Sequence, residues 1–245
     1  MGLYLLRVGA DSTKAGGGFW SHIFPNKSYV FIPIPECETY LEAQKAITYQ
    51  NYNWNNRSVI DYLPKRIRNA PNEYYIHDDP EFQTFTYGSP QLDPRGREKN
   101  YAKLSGTRKG DMLTFYAAFT QNCTNIEGYY LFAYFIVDRA VSLNELTSED
   151  MNLVKENHHF IHRCKLSQNQ VIVKGCPEQS RVLKRAVLLS SREYDRKGVN
   201  YYPCQSVRRM LGCYYKSMNR SSMRKIDLPE KDILQFKQYL DKNSV

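Results

Sequence analysis

Two strongly β-prone segments in the middle of the chain place the firmest constraint on its fold. Met112–Phe119 and Tyr129–Asp138 consist mainly of apolar and aromatic residues, and the polar segment Thr120–Gly128 separates them. We predict that the two segments form a buried antiparallel pair of strands. The longest apolar run, Tyr129–Val137, has nine residues, which is too few for a helix that crosses a bilayer. We therefore predict no membrane association.

Shorter strands and several helices are predicted on both sides of this pair. The β-prone or extended segments are Leu3–Val8, Ser28–Pro35, Val171–Lys174 and Ala186–Leu189. Helices are expected at Glu38–Gln50, at Asn144–Asn157, at Ser206–Leu211 and in a final segment that follows Asp227. The 245 residues contain no internal repeat and no clear linker. We therefore predict one α+β domain over residues 1–245, with a mixed or antiparallel sheet and flanking helices.

Basic residues are concentrated in the last third of the chain, which has a formal net charge of +9. Residues 1–160 contain 16 basic and 18 acidic side chains, whereas residues 161–245 contain 18 basic and 7 acidic ones. Such a segment indicates a polyanionic partner, with nucleic acid favoured over a membrane surface. The alternative interpretation is a basic face that is only solvated.

Tyrosines lie between the basic residues of this segment, for example Tyr194, Tyr201 and Tyr202. Cationic side chains neutralise phosphates and tyrosine rings stack on unpaired bases, so the pattern favours nucleic-acid binding. The candidate phosphate-binding residues are Arg181, Lys184, Arg185, Arg192, Arg208, Arg209, Arg220 and Arg224.

General catalytic and metal-binding motifs are missing from the sequence, which has no GxSxG, no HExxH and no paired CxxC. Six scattered cysteines without a recognisable secretory signal predict reduced thiols in a cytoplasmic protein. The run His158-His159-x-x-His162 with Cys164 fits no standard zinc spacing. We therefore predict no metal ion and no other cofactor.

A glycine-rich segment, residues 9–18, follows the first predicted strand. Backbone amides at such a position can cradle a phosphate or approach a base. Asp11 and Lys14 are the side chains there that could take part in chemistry. Because the segment matches neither the dinucleotide-binding nor the P-loop pattern, the alternative is a flexible turn in which glycine supplies positive φ.

His77 and the carboxylates Asp78, Asp79 and Glu81 form the densest group of potential proton-transfer residues. Carboxylates this close repel one another, so the pKa of one of them rises if the segment is buried. The same oxygens also suit a divalent cation. The alternative is an exposed acidic turn that begins at Asp79-Pro80.

Motifs along most of the chain resemble the nucleotide modification-associated domain 3 family. The matching segments are Leu6–Ser12, Gly16–Gly18, Pro25–Glu36, Asp79–Phe82, Thr86–Gly88, Lys109–Tyr116, Tyr134–Val137, Asn157-x-His159, Ser180–Leu183 and Arg220-Ser221. The resemblance implies an association with enzymes that make or process modified nucleobases, often in phage and defence contexts, with DNA favoured over RNA. Residues 104–140 are also similar to PUA-like, ASCH and EVE domains, which bind flipped or modified bases. That similarity implies a partly open PUA-like barrel.

Carried over position by position, the resemblance implies a pocket that holds a base or nucleotide. The catalytic candidates are Asp79, Glu81, Asp11 and His77, and the substrate-binding candidates are Arg7, Ser12, Gly17, Glu36, Tyr87, Tyr116 and His159. In this hypothesis a base leaves the stack, enters the pocket and undergoes glycosidic cleavage or group transfer. Two alternatives remain: a non-catalytic reader of modified bases, and a metal-dependent nuclease that uses Asp78, Asp79 and Glu81.

Overall fold

The computed structural model describes most of the chain. The described residues are 1–11, 17–36, 46–91, 100–121, 128–162, 169–195, 198–212, 217–218 and 223–243, with the backbone alone for 192–195 and 198–199. The strands are β1 (Leu3–Arg7), β2 (Ser21–Ile23), β3 (Tyr29–Val30), β4 (Asn53–Trp54), β5 (Arg57–Ser58), β6 (Thr86–Pro90), β7 (Met112–Thr120), β8 (Gly128–Ser142), β9 (Gln170–Gly175), β10 (Arg181–Asp195), β11 (Gly198–Pro203) and β12 (Arg224–Ile226). The α-helices are α1 (Lys65–Arg68), α2 (Tyr101–Ser105), α3 (Ser148–Val154), α4 (His158–Ile161), α5 (Gln205–Met210) and α6 (Glu230–Asn243), and short 3-10 helices cover Ile60–Tyr62 and Pro71–Glu73.

Ten of these strands form one large curled sheet with the shape of a half-barrel. Its main path runs β11-β10-β8-β7-β1-β12, while β2 joins β7 to β3 and β9 joins β8 to β6. Strands β1 and β2 are parallel to β7, and the other pairings of the sheet are antiparallel. The predicted α+β fold with a mixed sheet is therefore confirmed.

Strands β7 and β8 are the antiparallel pair that the two β-prone segments predict. Their register runs from Met112 opposite Ile136 to Phe119 opposite Gly128. All nine residues of β7 are buried, which explains the continuous apolar pattern. Beyond a register shift after Val137, β8 continues as far as Ser142 and pairs with β9. β8 thus connects the main path of the sheet to the β9–β6 branch.

Successive residues of β7 enter two different cores on the two faces of the sheet, as expected from the two-residue period of a strand. Phe115 enters the larger one, the aromatic core, whereas Tyr116 enters the second core. The aromatic core includes Phe31, Trp54, Phe82, Tyr87, Phe132 and Phe135. The second core includes Leu3, Leu5, Tyr134, Ile233, Phe236 and Leu240, the last three being the buried residues of α6.

The helix expected at Asn144–Asn157 forms only over α3. Thr147 and Asp150 form a capping box at its start, because each side chain accepts a hydrogen bond from the backbone N–H of the other. Asn157 then caps α4 as a separate helix. Of the helix expected at Glu38–Gln50, residues 38–45 lie outside the described residues, and the rest is not helical.

The helices of the described ranges are short, and the longest, α6, has 14 residues. None of them is long and apolar enough to cross a membrane.

Candidate functional site

The segment His77–Glu81 lies in the loop before β6 and is folded inward. The Glu81 N–H donates to the Thr86 carbonyl at 3.0 Å, and the Thr86 N–H donates to the Glu81 carbonyl at 3.1 Å. This bridge closes a turn in which Phe85 has a φ of 53°. Asp79 and Glu81 are only 8% and 6% exposed. The segment is therefore not the exposed acidic turn that was the alternative interpretation.

Asn157 attaches α4 to these carboxylates. Its side-chain oxygen accepts the His159 backbone N–H at 3.0 Å and so caps the helix. Its side-chain nitrogen lies 2.7 Å from Glu81 Oε2 and 3.2 Å from Asp79 Oδ1. The His158 backbone N–H donates to Glu81 Oε1. These bonds hold the first two residues of α4 against the loop.

Six side chains converge here and are called the histidine–carboxylate cluster: Glu36, His77, Asp79, Glu81, His158 and His159. Nδ1 of His77 lies 2.7 Å from Glu36 Oε2, and its Nε2 lies 4.0 Å from Asp79 Oδ2. Nε2 of His159 lies 3.6 Å from Asp79 Oδ2, and Nε2 of His158 lies 3.7 Å from Glu36 Oε2. The structure thus brings together five of the predicted site residues, and His158 joins them.

Two neighbouring strands fix the ring of His159. A Cβ added at Gly88 of β6 would lie 2.2 Å from His159 Cδ2 and 2.7 Å from Cγ, so the ring rests directly on the strand backbone. The Gly88 N–H donates to Asp79 Oδ1 at 2.8 Å. On β9, Oε1 of Gln170 lies 2.8 Å from His159 Nδ1. A side chain at position 88 would exclude this arrangement.

Burial is the main electrostatic influence in the cluster. Burial, followed by the charge of Asp79, raises the pKa of Glu81 well above its ordinary value, although its hydrogen bonds act in the opposite direction. Burial and then Asp79 also raise the pKa of Asp78 to about 6. Burial lowers the pKa of His158 to about 3, and the adjacent His77 acts in the same direction. Such divergent shifts in one place are typical of functional sites.

Solvent reaches the cluster through two of its members. The side chains of His77 and Glu36 are 18% and 20% exposed, whereas that of Asp79 is 1% exposed. Two groups of three side chains have ligand atoms within 4.8 Å of one another, close enough for a metal ion. They are Glu36 with His77 and His158, and His77 with Asp79 and His159. His77 belongs to both groups.

Four other predicted residues assemble around Tyr129, in what we call the arginine–tyrosine cluster: Arg7, Asp11, Tyr116 and Arg224 together with Tyr129. A guanidinium nitrogen of Arg7 lies 3.4 Å from Asp11 Oδ2, and the guanidinium carbon of Arg7 lies 4.9 Å from the centre of the Tyr129 ring. Burial raises the pKa of Tyr129, while the nearby charges of Arg7 and Arg224 lower it. The rings of Tyr116 and Tyr129 meet edge to face at 5.8 Å. Asp11 and Asp79, predicted to share a pocket, thus belong to different clusters.

Three further predicted pocket residues have separate positions. Gly17 has a φ of 93°, and its carbonyl accepts a hydrogen bond from Arg66. The buried ring of Tyr87 packs on Phe115 at 5.6 Å, and burial together with Asp79 raises the pKa of its hydroxyl. Ser12 lies outside the described residues.

Most of the predicted phosphate-binding side chains that the structure describes face solvent. Arg181, Lys184, Arg185 and Arg209 are exposed, and Arg208 and Arg224 are partly buried. Arg220 and the side chain of Arg192 lie outside the described part of the chain.

A cleft of about 540 Å³ lies away from the predicted residues. Its wall carries both signs of charge, with Arg108 and Lys225 beside Asp111 and Asp227. The Asp111 carboxylate already accepts hydrogen bonds from the backbone N–H groups of Gly2 and Arg108, at 2.6 and 2.9 Å. None of the described lining residues belongs to the predicted site, so the histidine–carboxylate cluster is the better candidate.

The sequence interpretation missed the roles of Asn157, His158 and Gln170. The histidine run that contains His158 was compared with zinc spacings, in which ligands lie close together in sequence. In the structure, the partners of these histidines lie in the segment His77–Glu81, which is distant in sequence. Asn157, for example, contacts Asp79, 78 positions earlier in the chain. Asn157 itself was a local signal for the start of α4, because asparagine is favoured as a helix N-cap.

Comparison with protein families gives a match over most of the chain. Residues 3–229 match the family described as nucleotide modification associated domain 3. This range contains the histidine–carboxylate cluster and the arginine–tyrosine cluster. No curated protein and no solved structure matches the chain.

Proposed function

The chain belongs to the nucleotide modification associated domain 3 family, and we propose that it processes a base or nucleotide of DNA at the histidine–carboxylate cluster. The family description implies involvement in nucleotide modification. The reaction we propose is glycosidic cleavage or transfer of a group onto the base. The observation that carries this proposal is the convergence of three histidines and three carboxylates in a largely buried place. Such groups are expensive to bury, so their assembly favours chemistry over packing.

Asp79 is the carboxylate best placed to act on a substrate. Its Oδ1 is held by Gly88 and Asn157, whereas its Oδ2 faces the ring nitrogens of two histidines. A fixed carboxylate can stabilise the positive charge that develops in glycosidic cleavage or accept a proton during group transfer. His77, the more exposed of these two histidines, would exchange protons with the substrate or with solvent.

Glu81 suits a positioning role. Its Oε1 accepts the His158 N–H, and its Oε2 accepts hydrogen bonds from Thr86 and Asn157. With both oxygens engaged, Glu81 holds α4 against the loop and so sets the position of His159.

The basic last third of the chain would bind the phosphodiester backbone. Arg181, Lys184, Arg185 and Arg209 are exposed and can approach phosphates. A base must leave the helical stack before a buried cluster can act on it, so we expect a flipped or single-stranded base as the substrate.

The test measures base chemistry directly. Purified protein is incubated with DNA oligonucleotides that carry modified or unmodified bases, and mass spectrometry identifies released or altered bases. Asp79→Asn retains the size and the Oδ1 acceptor but removes the charge, so we expect turnover to fall about 100-fold or more. DNA binding should stay unchanged. Asp138→Asn is the matched control, because that carboxylate is 38% exposed and pairs with Lys109.

Equal turnover by Asp79→Asn and wild-type protein would refute this site. DNA retained without any new mass would favour a non-catalytic reader. Strand cleavage that EDTA abolishes would favour a metal-dependent nuclease.

A further inference from the structure

The hydrogen bonds of His77 determine which of its ring nitrogens bears a lone pair. Nδ1 lies 2.7 Å from a carboxylate oxygen of Glu36. An ionised carboxylate can only accept a hydrogen bond, so Nδ1 carries the proton. In the neutral ring, Nε2 is then the nitrogen without a proton, and it lies 4.0 Å from Asp79 Oδ2.

The same argument applies to His159, which is 3% exposed. Its Nδ1 lies 2.8 Å from the amide oxygen of Gln170, which can only accept. Nε2 of the neutral ring therefore bears the lone pair, and it faces Asp79 Oδ2 at 3.6 Å. This separation is longer than a normal hydrogen bond.

Asp79 completes the group with one fixed oxygen and one that faces the rings. Oδ1 accepts the Gly88 N–H at 2.8 Å and the Asn157 side-chain N–H at 3.2 Å. Oδ2 lies 4.0 Å from His77 Nε2 and 3.6 Å from His159 Nε2. The three atoms lie within 4.8 Å of one another, and a cation among them would convert the repulsion of three electron-pair donors into ligation.

We propose that His77 Nε2, Asp79 Oδ2 and His159 Nε2 bind a divalent first-row transition-metal ion. Two imidazoles and one carboxylate are a ligand set typical of catalytic zinc and of non-haem iron sites. Metal–ligand bonds of about 2.0–2.1 Å correspond to ligand separations of about 3.4 Å in a tetrahedron. The two separations to Asp79 Oδ2 are 3.6 and 4.0 Å, so they would shorten by about 0.2 and 0.6 Å on binding. All three ligand atoms lie within 4.8 Å of one another.

The surrounding residues hold the three proposed ligands in place through hydrogen bonds. Metal-bound histidines usually donate their other N–H to a carboxylate or carbonyl, and ligating carboxylates are themselves hydrogen-bonded. Glu36 does this for His77 and Gln170 does it for His159, while Gly88 orients Asp79. The alternative group, Glu36 with His77 and His158, is less suitable because the 2.7 Å between Glu36 and His77 is a hydrogen bond.

Three protein ligands leave at least one coordination position for water or substrate. The partly exposed His77 and Glu36 place that position on the solvent side. A bound ion would be held by His77 and Asp79 together with His159, and would supply a Lewis acid for the substrate, while Glu36 would keep its hydrogen bond to His77 Nδ1. Metal binding itself needs no substrate, so it can be tested independently of the proposed reaction.

The experiment measures Zn²⁺ and Co²⁺ binding by the full chain. Chelator-treated protein is titrated with each ion, the bound metal is counted after dialysis, and the visible spectrum of the Co²⁺ form reports the ligand field. We expect one equivalent per chain. Loss of a residue that only orients a metal ligand typically weakens metal binding roughly 10–100-fold. Asp79→Asn and His159→Gln each change a ligand itself, so we expect metal binding to weaken by about 100-fold or more.

Two controls and one folding measurement complete the design. His22→Gln changes a histidine outside both ligand groups, whose ring meets Phe24 edge to face and lies tilted against Tyr62. Asp138→Asn changes an exposed carboxylate. Both should bind metal like the wild type, and circular dichroism of the metal-free variants shows that they are folded. Wild-type protein that binds neither ion, or folded Asp79→Asn and His159→Gln variants that bind as tightly as the wild type, would overturn the proposal.

Discussion

Replacement of Gly88 by alanine tests whether the His159 ring must rest on the β6 backbone. The new Cβ would lie 2.2 Å from His159 Cδ2, whereas non-bonded carbon atoms settle at about 3.5 Å or more. The ring must therefore move by about 1.3 Å, which is enough to break its 2.8 Å contact with Gln170. Overpacking costs about 1–3 kcal/mol and the lost hydrogen bond about 1 kcal/mol, so we expect Gly88→Ala to destabilise the protein by about 2–4 kcal/mol.

Urea denaturation measures this loss of stability. Turnover in the base assay should also fall, by about 100-fold, because a misplacement of about 1 Å in an active site can have that effect. Gly106→Ala is the matched control. Gly106 has an ordinary φ of −83°, and its new Cβ would be 3.3 Å from the nearest atom, the Ala102 carbonyl oxygen. We expect the control to change stability by less than about 1 kcal/mol.

A double-mutant cycle decides whether His159 is the group displaced. In the variant that combines Gly88→Ala with His159→Ala, the clash is gone. The destabilisation should then be smaller than the sum of the two single effects by about 1 kcal/mol or more. An additive result would refute the reasoning, since the new methyl group would then act on something other than the His159 ring.

Two further predictions concern the second core and the basic segment. The Tyr134 hydroxyl donates to Asp241 Oδ1 at 2.6 Å and so connects β8 to α6; Tyr134→Phe should lower the free energy of unfolding by about 1–3 kcal/mol in urea denaturation, and an unchanged midpoint would contradict this. Lys184→Gln and Arg185→Gln remove exposed charges from β10. Each should reduce the slope of log affinity against log salt concentration by about one in fluorescence anisotropy with DNA, while turnover at saturating DNA stays unchanged. Identical salt slopes would show that these side chains do not contact phosphates.

The central strand pair could be predicted from sequence because its signal is local. Every residue of β7 is buried, so its apolar run needs no knowledge of its partners. β10 is different, since only Ala186–Leu189 was predicted of a strand that spans Arg181–Asp195. Lys184 and Arg185 interrupt the apolar pattern within the register shift between Val182 and Val187 against β8. Tertiary pairing, which no local pattern reports, extends this strand.

The candidate site shows the same limit more strongly. The segment His77–Glu81 is recognisable because carboxylates and histidine crowd into a few positions. Its burial and its contact with α4 depend on Asn157, which reaches Glu81 across 76 positions. Gly88 and Gln170 give no sequence signal of their own. Gly88 contributes only the space for the His159 ring, and Gln170 contributes a hydrogen-bond acceptor for that ring.

The alternation of β7 has a consequence for how the gene can change. Phe115 and Tyr116 are adjacent in the chain but belong to opposite cores. Deletion of one codon within Met112–Thr120 would move every later residue of the strand to the opposite face of the sheet. The aromatic core borders the histidine–carboxylate cluster, and the second core carries the arginine–tyrosine cluster. One such deletion would therefore disable both places at once, so we expect viable length variation to be confined to the connections outside this strand.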